Sequence, residues 1–170
     1  YTDMLTDFLR DGVAPSLDVM FVDEAQDLSP LQWSVVRKLC ENTDRIYLAG
    51  DDDQAIYRWA GADVDYLIRN SKDAMILKQS YRVPQSIHHV AHRCISQVSS
   101  RIHKEWLPRE EEGEVAWIPD VNDVDMEKGD WLVLARTNYL LGGLKDYCKS
   151  EGWFFQINHQ NSIAVEKVHA

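Results

Sequence analysis

Residues 21–27, Phe-Val-Asp-Glu-Ala-Gln-Asp, are the end of an apolar run followed by adjacent carboxylates. An aspartate just past a buried strand sits at the crevice where open α/β sheets bind ligands, and a neighbouring glutamate brings a second carboxylate to the same place. One acid of such a pair can hold Mg²⁺ through water while the other orients an attacking water, the division of labour that phosphoryl transfer requires. On these residues alone a second reading stays open: Asp23, Glu24 and Asp27 cap the next helix, where its positive N-terminus favours acids. Residues 50–62 (GDDDQAIYRWAGA) again follow an apolar run, so Gln54 should emerge at the same sheet edge as Asp23. The triple aspartate resembles part of a calcium loop, but the EF-hand ligand order, with its sixth-position glycine and final glutamate, is absent. Tyr57 and Trp59 are either core aromatics or, beside Arg58 and Gly61, a surface on which bases stack. In residues 77–84 (LKQSYRVP), Arg82 stands before a helix start and beside Tyr81. An arginine so placed can reach a phosphate while the ring packs on a base; an ordinary surface arginine is the alternative.

The elements that must position these residues alternate between strand and helix. Residues 2–10 put Leu5, Phe8 and Leu9 on one helical face, closed by Gly12 and Pro15. Residues 18–22 are a short apolar run that reads as a buried parallel strand, and 45–49 read as another strand. Between them Ser29-Pro30 supplies an N-cap and a first-turn proline for a helix presenting Leu31, Val35 and Leu39. A short helix is predicted over 63–69 and a third strand over 74–77. Pro84 should open a long helix, since Ile87, Val90, Ala91, Cys94, Ile95, Val98 and Ile102 keep the i, i+3, i+4 rhythm. Further on, 131–135 reads as a strand, 139–149 as a helix closed by Gly152, and 153–157 as a last strand. This is an α/β pattern with parallel sheets, in two pieces rather than one.

The composition fits that class. The chain has 170 residues, 45% hydrophobic and 27% charged, enough for a real core. Its formal charge of -10 disfavours non-specific coating of nucleic acid or anionic membrane, so any affinity for DNA must come from a local groove. Residues 82–109 are basic and 110–130 acidic, with Lys128 the lone cation of the second stretch. No apolar run approaches the ~20 residues of a spanning helix and no signal peptide is visible, so no membrane is expected and a cytoplasmic location is. Cys40, Cys94 and Cys148 are widely spaced and lack a CxxC pair, which fits a reducing compartment. His88, His89 and His92 read as a solvated helix face, because the glutamate of H-E-x-x-H is missing and no third ligand is suggested.

In order and spacing, DEAQD, GDDDQAIYRWAGA and QSYR resemble consecutive motifs of the UvrD/Rep/PcrA-type superfamily 1 DNA helicases, with DEAQD as their Walker B motif. Residues 134–138 (LARTN), followed by an amphipathic helix and Gly152-Trp153-Phe154, are similar to the opening of that family's second RecA-like domain. The resemblance implies RecA-like, P-loop NTPase-type parallel sheets with flanking helices, incomplete in both domains. Residues 1–78 would be the C-terminal part of the first domain and 79–170 the N-terminal part of the second. Carried over by position, it implies that Asp23 positions Mg²⁺ and Glu24 is the general base toward the γ-phosphate of ATP. Gln54 would sense that phosphate, Arg82 would be the arginine finger, and Tyr81 would stack on adenine. Tyr57 and Trp59 would pack against single-stranded bases, with Asn138 a further DNA contact. The partners implied are ATP, single-stranded DNA, duplex junctions and the remainder of the same polypeptide.

Two departures qualify the resemblance. Ala60 stands where the family usually has an arginine, and none of the eight glycines opens a G-x-x-x-x-G-K-S/T phosphate loop. With Tyr1 as its first residue, the chain therefore reads as the middle of a helicase, by itself inactive. A non-catalytic helicase-like module that binds DNA or protein is the alternative. A Mg²⁺-dependent nuclease using Asp23, Glu24, Asp27 and Asp51 ranks third, since it leaves Gln54 and Arg82 without a role.

Overall fold

The computed structural model describes residues 2–157 and 160–161. These fall into two compact units, Tyr1–Glu114 and Val115–Ala170.

In the first unit, α1 (Thr2–Asp11) carries its apolar stripe to α2 (Pro30–Cys40). Lys38 of α2 ties the two together: its Nζ donates to the Phe8 and Leu9 carbonyls, each at 2.8 Å, and lies 5.2 Å from the Phe8 ring centre. A cation there is favoured at the C-terminal end of α1, where the Phe8 carbonyl also accepts from the Gly12 amide at 2.9 Å. Helix α2 starts as its sequence predicts. Ser29 Oγ accepts from the Gln32 amide, Gln32 Oε1 accepts from the Ser29 amide, and Pro30 fills the first turn. Strands β1 (Leu17–Val22) and β2 (Thr43–Leu48) flank α2 and pair in parallel, Val19 opposite Arg45 and Phe21 opposite Tyr47. Helix α3 (Val64–Asn70) is capped by Asp63 Oδ1, which accepts from the Tyr66 amide at 3.1 Å. Trp33 of α2, Leu67 of α3 and Ala25 form the core, with Tyr66 tilted over Trp33 at 4.5 Å between ring centres. On the sheet, Phe21 and Tyr47 stack on each other and stay exposed.

Four expected elements differ, one of them the strand expected over 153–157, which is reduced to Gln156–Ile157. Residues 74–77 and 131–135 form no strand, and Met75, Leu77, Leu132 and Leu134 stand more than 80% exposed. A strand needs a hydrogen-bonded neighbour, and no backbone ladder joins either run to another described segment. Just past the first run there is only a single parallel bridge, Gln79 with Leu107. The long helix is α4 (Gln85–Ile95), shorter than the pattern through Ile102 suggests. Ser96 Oγ bonds back to the Arg93 carbonyl, and beyond it the backbone amide of Ile102 donates to the Asp52 carboxylate, so a tertiary tie overrides the periodicity.

The second unit holds a 3-10 turn at Asn138–Leu141, then α5 (Gly142–Ser150), ended by Gly152 at φ 73°. Its sheet is a minimal antiparallel pair, β3 (Gln156–Ile157) with β4 (Gln160–Asn161), and not the parallel sheet expected there. The boundary between the compact units falls at 114/115. Residues 79–114 fold back on the preceding part of the chain through the Gln79 bridge, the Leu107 amide on the Lys78 carbonyl at 2.7 Å, and Arg101 on Asp53. Of the expected second domain, 158–159 and 162–170 lie outside the described residues. Among the described residues no helix is long and apolar enough to cross a membrane.

Candidate functional site

The ladder between β1 and β2 continues past both strands. The Ala49 amide donates to the Val22 carbonyl at 2.8 Å and the Ala25 amide to the Ala49 carbonyl at 3.0 Å. These bonds bring the two loops together at the carboxyl ends of parallel strands, the crevice side of an α/β sheet. Asp23 and Glu24 leave the first strand exposed to solvent, and Asp23 Oδ1 accepts from the Glu24 amide at 2.9 Å. Glu24 is the one described non-glycine residue with positive φ, at 51°. Asp27 Oδ1 is buried and has no hydrogen-bond partner among the described residues.

From the second strand, Asp51 opens a 3-10 turn, Asp52–Gln54, by accepting from the Asp53 amide. Gln54 is exposed, and its Nε2 donates to Asp51 Oδ2 at 2.6 Å. Gln26 joins the loops: its Nε2 donates to Glu24 Oε2 at 2.6 Å, and its Oε1 accepts from the Asp51 amide at 3.0 Å. The pair Asp23 and Glu24 and the glutamine Gln54, read from the sequence as one site, are thus brought to one place.

Tyr57 caps a further 3-10 turn, Arg58–Ala60, of which Trp59 is the middle residue. They are not core: Trp59 is 84% exposed and the two rings lie 6.5 Å apart at 49°. Arg58 holds this turn by pairing with Asp65 of α3 at 2.9 Å. Tyr81 and Arg82 precede α4 and are exposed, and no hydrogen bond or ion pair joins either side chain to Glu24 or Gln54. Asn138 lies in the other compact unit, exposed at the start of its 3-10 turn.

The calcium-loop likeness of Asp51-Asp52-Asp53 has a different explanation. Lys104 reaches all three carboxylates, at 3.0 Å for Asp51 and Asp53 and in a shorter contact with Asp52; Arg101 pairs with Asp53 at 2.6 Å. Asp52 is 2% exposed and Arg101 6%. Burial by itself would raise the Asp53 carboxyl, but hydrogen bonds from Arg101 and Lys104 and their charges outweigh it, leaving the group below the usual carboxylate value. Burial likewise pulls Lys104 down, and its bonds to Asp52, Asp51 and Asp53 more than reverse that. Arg101 is raised by its hydrogen bond to Asp53, against an opposing effect of burial. Sequence reading noted the basic character of 82–109 but did not connect these two cations to the aspartates. Charge complementarity between two polar stretches about fifty positions apart was the one signal available.

Among the described residues no three His, Cys, Asp or Glu side chains are grouped to hold a metal unaided. The donors at the strand end nonetheless suit a hard cation bound mostly through water: an exposed Asp23 carboxylate, with the unpartnered Asp27 oxygen nearby in sequence. On α4, His89 and His92 are exposed, as expected of a solvated face, whereas His88 is part-buried and meets the Trp106 ring edge-on at 4.2 Å.

An acid pair and a glutamine are gathered at the carboxyl ends of two parallel strands, the edge at which α/β folds bind ligands. Residues 6–75 match the family described as UvrD/REP helicase N-terminal domain, and this stretch carries both site loops. The chain is 31% identical over 115 residues to a probable DNA helicase II homolog of Mycoplasma capricolum, covering 65% of this chain and 16% of that protein. It is 35% identical over 97 residues to the ATP-dependent DNA helicase PcrA of Bacillus subtilis, covering 54% and 13%. With DNA helicase II of Escherichia coli it shares 34% over 90 residues, covering 50% and 12%. The resemblance to UvrD/Rep-type helicases carried by the three motifs is therefore shown, and the matched segment is a small part of each relative's length.

Proposed function

We propose that this chain is part of an ATP-dependent single-stranded DNA translocase, a DNA helicase that couples ATP hydrolysis to unwinding. The observation that carries the reading is the meeting of the Asp23-Glu24 loop with the Gln54 loop through the Ala25–Ala49 and Gln26–Asp51 hydrogen bonds. In this reading residues 1–78 are part of a RecA-like, P-loop NTPase-type domain, and residues 79–170 open a second one. Asp23 would hold Mg²⁺ through water, and the cation would supply charge neutralisation at the phosphates. Glu24 takes the proton of the attacking water, and Gln54 contacts the transferred phosphate. Arg82 stabilises the charge that develops there, once domain closure carries it to the phosphate, and Tyr81 packs on the base. Tyr57, Trp59 and Asn138 contact single-stranded DNA next to a duplex junction. The remainder of the polypeptide supplies the phosphate loop, and ATP as substrate fits a cytoplasmic setting.

With no phosphate-loop lysine among its 170 residues, the chain alone should release phosphate only at background when mixed with ATP, Mg²⁺ and DNA. The decisive experiment replaces the corresponding segment of the Bacillus subtilis relative with residues 6–75. DNA-stimulated phosphate release by this chimera should fall roughly 10²–10⁴-fold with Glu24→Gln, the usual contribution of a general base. Release indifferent to that change, or substantial turnover by the chain alone, defeats the reading.

A further inference from the structure

Gln26 is 1% exposed, the most buried polar residue described in the chain. Both ends of its amide are engaged, one by the Glu24 carboxylate and the other by the Asp51 amide. Asp51 in turn holds the Gln54 side chain at 2.6 Å. A continuous set of hydrogen bonds therefore runs from Glu24 through Gln26 and Asp51 to Gln54. A buried amide is costly unless its donor and acceptor are both matched, so the geometry around Gln26 is narrowly determined.

The backbone is shaped to this side chain. At Gly50 an added Cβ would meet Gln26 Oε1 at 2.9 Å, Leu67 at 3.0 Å and the Ala25 nitrogen at 3.3 Å, so only glycine lets the second loop approach this closely. Glu24 is held at φ 51°, a left-handed conformation that persists in a non-glycine residue where the surroundings impose it. An amide serving only to fill space would need neither feature.

We propose that Gln26 is a positioning residue that couples the Glu24 carboxylate to the Gln54 side chain, so that displacement of Gln54 by a phosphate resets Glu24. The role of phosphate here rests on the function proposed above; the coupling itself is a property of the chain without nucleotide. Its strength depends on one side chain spanning both loops, and a shorter or apolar residue breaks the span. Hydrogen-bonded groups in one network are non-additive in this sense, and a double-mutant comparison isolates the coupling.

The test uses the 170-residue chain without nucleotide and reads the ¹³Cδ resonance of Glu24 by NMR. Gln54→Ala should move this resonance in the parent chain and leave it unmoved in Gln26→Met. The Asp51 amide, which donates to Gln26, should exchange with solvent up to about tenfold faster in Gln26→Met. If circular dichroism shows that Gln26→Met does not fold, Gln26→Asn keeps a polar amide one methylene too short to reach both loops and serves instead. A Glu24 response of equal size with and without Gln26, or no response in the parent chain, overturns the proposal. Coupling intact while phosphate release by the chimera ignores Glu24→Gln would leave Gln26 in its role and remove the ATPase reading, so the two failures are separable.

Discussion

Lys104→Met is expected to be the most damaging single change in the first unit outside its apolar core. The ammonium it removes touches Asp51, Asp52 and Asp53, and is itself 14% exposed. Asp53 would keep Arg101, whereas Asp52, 2% exposed, would keep only the Ile102 amide at 2.6 Å. Breaking a buried pair from one side costs about 3–5 kcal/mol, because the remaining charge stays desolvated. That is a large part of the ~5–15 kcal/mol of a typical domain. The pH dependence follows from the direction of the shifts. Asp53 is depressed below its unfolded value of 3.8, so its contribution is fully present above that pH and is lost as pH falls through the lower folded value. Lys104 is raised above 10.5, so its contribution is present below that pH and fades only in strong alkali. Urea denaturation followed by tryptophan fluorescence should therefore show Lys104→Met destabilised by about 3–5 kcal/mol at pH 7, with the gap to the parent chain narrowing below pH 3.8 as Asp53 takes up a proton and its pairing with Lys104 is lost. Adding Asp52→Asn should recover part of the loss at neutral pH. A loss under about 1 kcal/mol at pH 7, the range of an exposed pair, would falsify the account of a desolvated cluster.

Gly50→Ala should destabilise the first unit by about 1–3 kcal/mol, the usual cost of forcing volume into a packed site, since its Cβ meets Gln26 Oε1 and Leu67 at 2.9 and 3.0 Å; a melting curve identical to the parent's would contradict it. Trp59→Ala, at 84% exposure, should leave thermal stability almost unchanged. It should weaken binding of a fluorescent single-stranded oligonucleotide by ~1–3 kcal/mol, the value of one stacked base, and equal anisotropy titrations for the two proteins would remove Trp59 from the DNA surface.

Local chemistry was legible wherever a residue acts on its sequence neighbours. Ser29-Pro30 with Gln32 announces the start of α2, and Asp63 the start of α3, because caps act within three positions. The acid pair and Gln54 were placed at one sheet edge because each follows an apolar run that does become a parallel strand. The failures share a cause. Residues 74–77 and 131–135 have strand composition, but strand formation depends on a partner ladder that pattern alone does not supply. The rhythm through Ile102 continues past Ile95, yet Asp52 and Asp53 capture Ile102 and Arg101 from about fifty residues away. Gln26 escaped notice because an amide inside an acidic motif reads as polar surface, and only the fold shows it is buried.

The ion cluster changes what the chain's acidity means for DNA. A charge of -10 and three consecutive aspartates beside Gln54 make the region look hostile to a polyanion. Arg101 and Lys104 neutralise two of those three charges in place and bury them, so the loop that carries Gln54, Tyr57 and Trp59 faces solvent close to neutral. Screening at physiological salt confines the rest of the chain's charge to about 8 Å, so the overall charge does not by itself oppose the strand contact proposed for Tyr57 and Trp59. The same two cations hold the Gln54 loop in position and, under the proposed function, would also lower the repulsion met by a phosphate chain beside Tyr57 and Trp59.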